Sequence, residues 1–354
     1  MAISKKINPN ILVTEFCNMA CPYCFAKDAM AAPSRKEMGL ADFRQLLVFL
    51  KNNHKTEVRL MGGEPTLHYK FKEIIDLAIS YNFKVKIFTN GLFSEELAQW
   101  MVERAKSLEF IFNVTAGALA SESIKKNIEK NLNILKNNST ITGSITIDNA
   151  GFQSQKIIDF VKNSGIKFIR IGLANNRINS SGVPFKDYEK HIEDMLNFID
   201  ELRKIGISRI SLGCGLVPCI FTPDQLNGLS EKNIDIRGWG CAGKVGAFDI
   251  SADLSIFPCF IMEDLKKGSL LDFYSLKTAK KYSDELSKYL VNNSKMPSLR
   301  NCKKCDHFLQ LKCNGPCLGY VSNNKKDRKK LDNFKKSLSF RLTNKILYWL
   351  RNWA

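Results

Sequence analysis

Between Asn10 and Leu212, short runs rich in β-branched and aromatic residues alternate with longer segments of helical period. That alternation restricts the chain to a parallel sheet with crossover helices. The runs are Ile11–Phe16, Glu57–Met61, Val85–Thr89, Glu109–Val114, Thr142–Ile147 and Lys167–Ile171, with a further one at Ser208–Leu212. Six or seven such units are fewer than the eight that close a full barrel, so the expected class is α/β, a partial (β/α)6 barrel open on one side. A bulky substrate can enter such a barrel through its gap. Working residues are then expected at the C-terminal ends of the strands and in the loops after them.

A chain of 354 residues has room for a large domain and a smaller one. Its 44% hydrophobic content, without an apolar run near twenty residues, indicates a globular protein with no transmembrane segment. The start, Met1 to Pro9, lacks the apolar stretch of a signal peptide, so a cytoplasmic location is expected. In a reducing compartment eleven cysteines argue for metal sites over disulfides. They fall in two groups, Cys17, Cys21 and Cys24 first and the remaining eight from Cys214 onward, which implies two metal-binding regions.

The first group lies just past the run Ile11–Val13, in Cys17-Asn-Met-Ala-Cys21-Pro-Tyr-Cys24. Three thiols on one tight loop can hold three irons of a four-iron cluster and leave the fourth open to bind a small molecule. Zinc, the alternative, usually takes four ligands in two close pairs. The spacing, Tyr23 and the upstream strand resemble the signature of radical S-adenosylmethionine (SAM) enzymes, in which SAM chelates the open iron. The resemblance implies a TIM-like radical SAM partial barrel, a SAM-binding 4Fe-4S cluster on Cys17, Cys21 and Cys24, and SAM as cofactor.

Several strand ends fit the same family. Gly62 and Gly63 permit close backbone approach, and Glu64 is expected to put a carboxylate in the barrel mouth. With Pro65 they resemble the segment that takes the SAM amino group. Thr89 and Asn90 end the third strand, where the family places residues beside SAM. Ser144 and Thr146 share one strand face and match positions that touch the SAM carboxylate or ribose. Arg170 and Gly172 end the next strand, where adenine packs. Cys214 and Cys219 follow the last strand and are expected to face the mouth, as ligands of an auxiliary cluster, as hydrogen-atom donors, or as buried thiols without a chemical role.

Past Gly240 the pattern turns to small residues, short strands and cysteines, with Cys241 and Cys259 at the ends of an expected hairpin and then Cys302-x2-Cys305-x7-Cys313-x3-Cys317. A zinc ribbon is the structural alternative. The arrangement resembles the SPASM extension of radical SAM enzymes, which holds up to two auxiliary 4Fe-4S clusters. By position, Cys241, Cys259 and Cys317 would serve the first, with Cys214 or Cys219 as a possible fourth ligand, and Cys302, Cys305 and Cys313 the second. Three departures stand out: the Cys305–Cys313 gap is long, the glycine expected before Pro258-Cys259 is replaced near Asp253-Leu254, and no cysteine follows Cys317. The second cluster would then have an open iron, a noncysteine ligand such as His307, or not exist.

Lys325 to Arg351 carries ten Lys or Arg against two Asp, with Leu331, Phe334, Leu338, Leu342, Ile346, Trp349 and Trp353 on one helical face. Such a helix packs its stripe on the protein or docks on a membrane surface or an acidic peptide. The net charge of +18 is spread widely, and no nucleic-acid-binding motif accompanies it. The expected organisation is a barrel over 1–213, an auxiliary cluster domain over 214–323 and a basic amphipathic helical tail over 324–354. The resemblance implies an oxidoreductase-like enzyme that cleaves SAM to a 5′-deoxyadenosyl radical and modifies a peptide or protein by crosslinking, oxidation or epimerisation, in ribosomal peptide maturation. A reductant such as flavodoxin or ferredoxin would supply the electron. A small-molecule or carbohydrate substrate, and a non-catalytic iron-sulfur or zinc scaffold, are the alternatives.

Overall fold

The computed structural model describes residues 8–24, 26, 35–137, 139–148, 153–174, 189–213, 216–236, 248–265, 268–293, 302, 304–310, 313 and 317. Strands β1 (Asn10–Thr14), β2 (Glu57–Gly62), β3 (Lys84–Thr89), β4 (Leu108–Asn113), β5 (Thr140–Ile147), β6 (Phe168–Leu173) and β7 (Arg209–Leu212) sit side by side in chain order, each parallel to the next. All seven expected strands are present. Between them run α1 (Leu40–Asn52), α2 (Phe71–Ser80), α3 (Glu95–Val102), α4 (Val114–Ala118), α5 (Glu122–Leu135), α6 (Ser154–Ser164) and α7 (Ile192–Lys204).

Burial alternates along the strands, and the alternation separates two faces. Ile87, Phe110, Phe112, Ile145, Ile169 and Ile171 are buried on the face that packs on the helices. Phe88, Ile111, Asn113, Ser144, Thr146 and Arg170 fall at the intervening, less buried positions. The helices answer with apolar residues at steps of three and four, as with Phe71, Ile74, Ile75 and Ala78 of α2. Each such side chain removed from water contributes roughly 1.5–3 kcal/mol, which makes this the dominant stabilising layer.

Two-residue strands extend the sheet at both edges. After α8 (Pro223–Glu231), β8 (Asp235–Ile236) pairs in parallel with β7, while β9 (Asp249–Ile250) pairs in parallel with β1 and antiparallel with β10 (Ile256–Phe257). The expected hairpin of the C-terminal region thus exists and is built onto the barrel sheet. Asn10 Nδ2 donates to Asp249 Oδ1 at 2.7 Å, and the Phe260 N–H donates to Asp249 Oδ2 at 2.8 Å. Burial pushes the Asp249 carboxyl up to about 7.

The hairpin turn also explains the missing glycine. Leu254 has φ +62°, the left-handed conformation that glycine adopts without strain, while its side chain is buried. Burial of the leucine offsets a backbone cost of about 1–2 kcal/mol. Beyond the hairpin come α9 (Leu276–Asn293) and the short α10 (Asp306–Leu309). Among the described residues, no helix is long and apolar enough to cross a membrane.

Candidate functional site

The cysteine loop is fixed by the ends of three strands. Beyond the β1–β2 pairing, the Gly63 N–H donates to Thr14 O at 2.9 Å and the Glu64 N–H to Phe16 O at 2.7 Å. The two backbones approach so closely that a Cβ on Gly62 would meet Thr14 O at 2.6 Å, and one on Gly63 would meet Phe16 O at 2.3 Å and Cys17 Cβ at 2.9 Å. Only glycine fits at either position. From the end of β3, Asn90 Nδ2 donates to Asn18 Oδ1 at 2.9 Å and lies 3.9 Å from Cys17 Sγ, while Asn18 Nδ2 donates to Leu92 O. From the end of β4, Asn113 Oδ1 accepts from the Tyr23 hydroxyl at 3.0 Å.

Glu64 lies at the cavity with its oxygens already engaged. Its carboxylate is 1% exposed, with Oε1 accepting from Thr66 N, Thr66 Oγ1 and Thr89 Oγ1 and Oε2 accepting from Asn90 N. While it lines the cavity, this carboxylate also staples the end of β2 to the end of β3. A buried carboxylate would be costly without donors, and these bonds to it contribute about 1.5–3 kcal/mol each. Burial outweighs them in its titration, raising the Glu64 carboxyl above its ordinary value.

Cys17, Cys21 and Cys24 share one cavity of about 260 Å3 with Gly62, Gly63, Glu64, Thr89, Asn90, Ser144, Thr146, Arg170 and Gly172. Every cofactor-binding residue expected from sequence lines it except Pro65, which is buried as the first residue of a 3-10 turn, Pro65–Leu67. Register explains the convergence. Asn113 pairs with Ser144, Ser144 with Arg170 and Thr146 with Gly172, so one polar row crosses three adjacent strands. The Thr115 hydroxyl at the start of α4 holds the Thr146 backbone, accepting its N–H at 2.9 Å. Met61, Phe88 and Ile111 supply an apolar wall, and Tyr23 joins the lining.

Sequence reasoning missed Asn113. It reads as a helix cap, and its Oδ1 does accept from Ala116 N at 3.2 Å while also holding Tyr23. Its place at a strand end, in phase with Glu109 and Ile111, was the available signal.

The thiols fit a cluster. Burial raises Cys17 and pushes Cys21 up to about 11, the neighbouring Cys24 charge adding to the latter. Bound iron reverses this balance, because a coordinated thiol is deprotonated outright. Among the described residues no three His, Cys, Asp or Glu side chains are grouped to hold one metal ion. Thiols that each take a different iron have no need to converge on a point.

In the second group, Cys302, Cys305 and Cys313 are drawn together by a Cys305 N–H to Cys302 O bond of 3.1 Å and a Cys313 N–H to His307 O bond of 3.0 Å. His307 is exposed and contributes its carbonyl there. Burial pushes Cys302 up to about 11, and the charges that add to it are those of Cys219, Cys313 and Cys305, in that order. Cys219 is raised by burial and then by Cys313 and, more weakly, Cys305. It does not line the cavity as expected; it sits exposed on the turn Pro218–Ile220. Cys259 follows β10, its carbonyl accepting from Met262 N at 2.7 Å, and Cys317 is buried. Cys214, Cys241 and the tail over 324–354 lie outside the described residues.

Comparison with known proteins agrees with this geometry. Residues 11–131 match the Radical SAM superfamily. Over 344 residues the chain is 23% identical to the radical SAM cyclopropyl synthase TigE of Paramaledivibacter caminithermalis, a match covering 88% of this chain and 67% of that protein. Against seven further curated relatives the match spans between 20% and 53% of their length. Among solved structures, Streptococcus suis SuiB bound to precursor peptide SuiA is similar with a TM-score of 0.60 and 15% identity, over 90% of this chain and 74% of that one. Native anSMEcpe with bound AdoMet and Cp18Cys peptide gives a TM-score of 0.62 and 18% identity, over 96% and 99%. These likenesses carry the fold, a partial TIM-like α/β barrel.

Proposed function

We propose, from the match of residues 11–131 to the Radical SAM superfamily, that the chain is an iron-sulfur enzyme that uses SAM-derived radical chemistry to modify a peptide or protein. The observation that supports this reading is the single cavity shared by the cysteine loop and the polar strand ends. Cys17, Cys21 and Cys24 would hold a 4Fe-4S cluster, which with SAM bound supplies reductive cleavage to methionine and a 5′-deoxyadenosyl radical. The segment Met61–Gly63, beside the thiols, would take the SAM amino group. Arg170 offers the cation for a carboxylate in a site where Ser144 and Thr146 provide hydroxyls for the carboxylate or ribose. Gly172, which lines the cavity without a side chain, would leave room for adenine.

The protein's part is to hold the reacting groups in line and to exclude water. Cys241, Cys259 and Cys317, and the set around Cys302, would carry auxiliary clusters in a domain spanning 214–323. The peptide substrate is inferred from likeness to proteins whose solved complexes contain peptides. Crosslinking, oxidation and epimerisation are the reaction classes in view, in maturation of a ribosomal peptide with a flavodoxin or ferredoxin as reductant.

The test is to reconstitute the protein anaerobically, reduce it, and supply SAM with the peptide encoded by a short reading frame beside its gene. Expected are 5′-deoxyadenosine and a mass change in the peptide. Deoxyadenosine raised by a sugar or nucleotide, with every peptide left unaltered, would contradict the peptide reading.

A further inference from the structure

The loop that follows β3 is held from two sides. From β2, Glu64 Oε2 accepts the Asn90 N–H at 2.7 Å and Oε1 accepts the Thr89 hydroxyl at 2.8 Å. From α5, Asn131 Nδ2 donates to Gly91 O at 2.9 Å and to Phe93 O at 2.8 Å. Asn131 is 1% exposed and does not line the cavity that the three thiols share.

An amide is an unexpected choice at this place on the helix. Ile128, Leu132 and Leu135 beside it on α5 are buried and apolar, and packing alone would be served by another such residue. The amide also carries a penalty, because its Oδ1 is buried without a hydrogen-bond partner among the described residues. What it supplies is a pair of N–H donors, and both go to one short backbone segment. That segment turns sharply: Gly91 has φ +81°, and a Cβ there would meet Phe112 Cε2 at 2.4 Å. The bond to Gly91 O is buried, where loss of the donor is costly.

The same segment holds the cysteine loop. Leu92 O accepts from Asn18 Nδ2 at 2.7 Å, and the Leu92 N–H donates to Asn90 Oδ1 at 2.8 Å. Asn90 Nδ2 donates in turn to Asn18 Oδ1 at 2.9 Å and lies 3.9 Å from Cys17 Sγ. Three asparagines, from α5, the β3 loop and the cysteine loop, thus connect the helix layer to the first thiol.

We propose that Asn131 is a positioning residue of the iron-sulfur site: by fixing Gly91 and Phe93 it places Asn90 and Leu92 where they hold Asn18 and the Cys17 thiol. The inference rests on the reading that Cys17, Cys21 and Cys24 carry the cluster at which SAM binds. Asn131 acts through the loop and not on the cofactor. Hydrogen bonds to a cluster's sulfurs and the placement of its ligands tune its potential and what it binds. A change in the helix layer should therefore be readable at the cluster.

The test uses the full chain, reconstituted anaerobically and reduced, and follows the part of the electron paramagnetic resonance spectrum that SAM alters, which reports the cluster with an open iron. Asn131→Leu keeps the volume and removes the donors, and Asn131→Ser is a second variant that stands in if the first fails to fold. Ile157→Ala, a buried truncation on α6, controls for lost stability alone. With either Asn131 variant, the SAM concentration that half-converts the spectrum should rise about tenfold or more, and the reduction potential of that signal should shift, with the iron still bound. Asn18→Ala should shift the same signals, and combining it with Asn131→Leu should add little, since both act on one loop. Ile157→Ala should lower the melting temperature and leave the signals as in the wild type. Asn131 variants that lose stability yet keep the wild-type half-conversion and potential, an equal shift with Ile157→Ala, or effects of Asn18→Ala and Asn131→Leu that add in full would overturn the positioning role while leaving the cluster reading standing. A wild type with no SAM-responsive signal would overturn both.

Discussion

The N-terminal cysteine loop and the C-terminal cysteine group are built by opposite means. The first takes its three thiols from one short loop and fixes them with strand ends: Gly63 and Glu64 from β2, Asn90 from β3, Asn113 from β4. The second ties Cys302, Cys305 and Cys313 through backbone bonds of their own segment, and the hairpin that leads to Cys259 is attached to the barrel through Asn10 and Asp249, distant in the chain. A site made by local spacing is visible in sequence; one made by long-range placement is not. The difference also separates what each site depends on, because the loop needs close backbone approach and the extension needs a buried polar tie.

Gly63→Ala attacks the first dependence and should have the larger effect. Its Cβ would fall 2.3 Å from Phe16 O, so the loop carrying Cys17 must move. The expected outcome is loss of about four irons per chain, the complement of one cluster, with the auxiliary iron retained. Iron and sulfide analysis checks it. Equal losses from both regions would mean that the loop and the extension are not separately built.

Asp249→Asn attacks the second and should have a smaller effect, read as pH dependence. The carboxyl is held at about 7 in the fold against 3.8 ordinarily. Below the ordinary value both folded and unfolded chains carry the proton, and the group's contribution to stability is complete. As pH rises, the unfolded chain ionises first, so stability falls until the folded carboxyl also ionises near neutrality. The wild type should therefore lose stability between about pH 5 and pH 8 relative to Asp249→Asn, which lacks this slope. Urea unfolding at the two pH values measures it; parallel changes in both proteins would show that the tie does not titrate as described.

Much of the barrel was legible because its seven strands are long enough to carry β-branched runs, and parallel pairing buries them against helices. The two-residue strands β8, β9 and β10 are too short to hold a pattern, and the pairing of β9 with β1 joins segments 239 residues apart. Within the site, residue types at strand ends singled out Gly62, Thr89, Ser144 and Arg170, which all line the cavity, and strand parity explains the shared face of Ser144 and Arg170. The direction of the Glu64 carboxylate was not legible, since it depends on four donors from two loops. Nor was the exposure of Cys219, which depends on how its buried neighbours Val217 and Ile220 set the turn.

The central claim is that Cys17, Cys21 and Cys24 hold the cluster at which SAM is cleaved. Its most direct test is iron and sulfide per chain, with 5′-deoxyadenosine formation after anaerobic reconstitution and reduction, in the wild type and in the variant with all three replaced by Ala. The account predicts that the variant loses one cluster and all SAM cleavage. A variant that keeps the full iron complement and still cleaves SAM would contradict it.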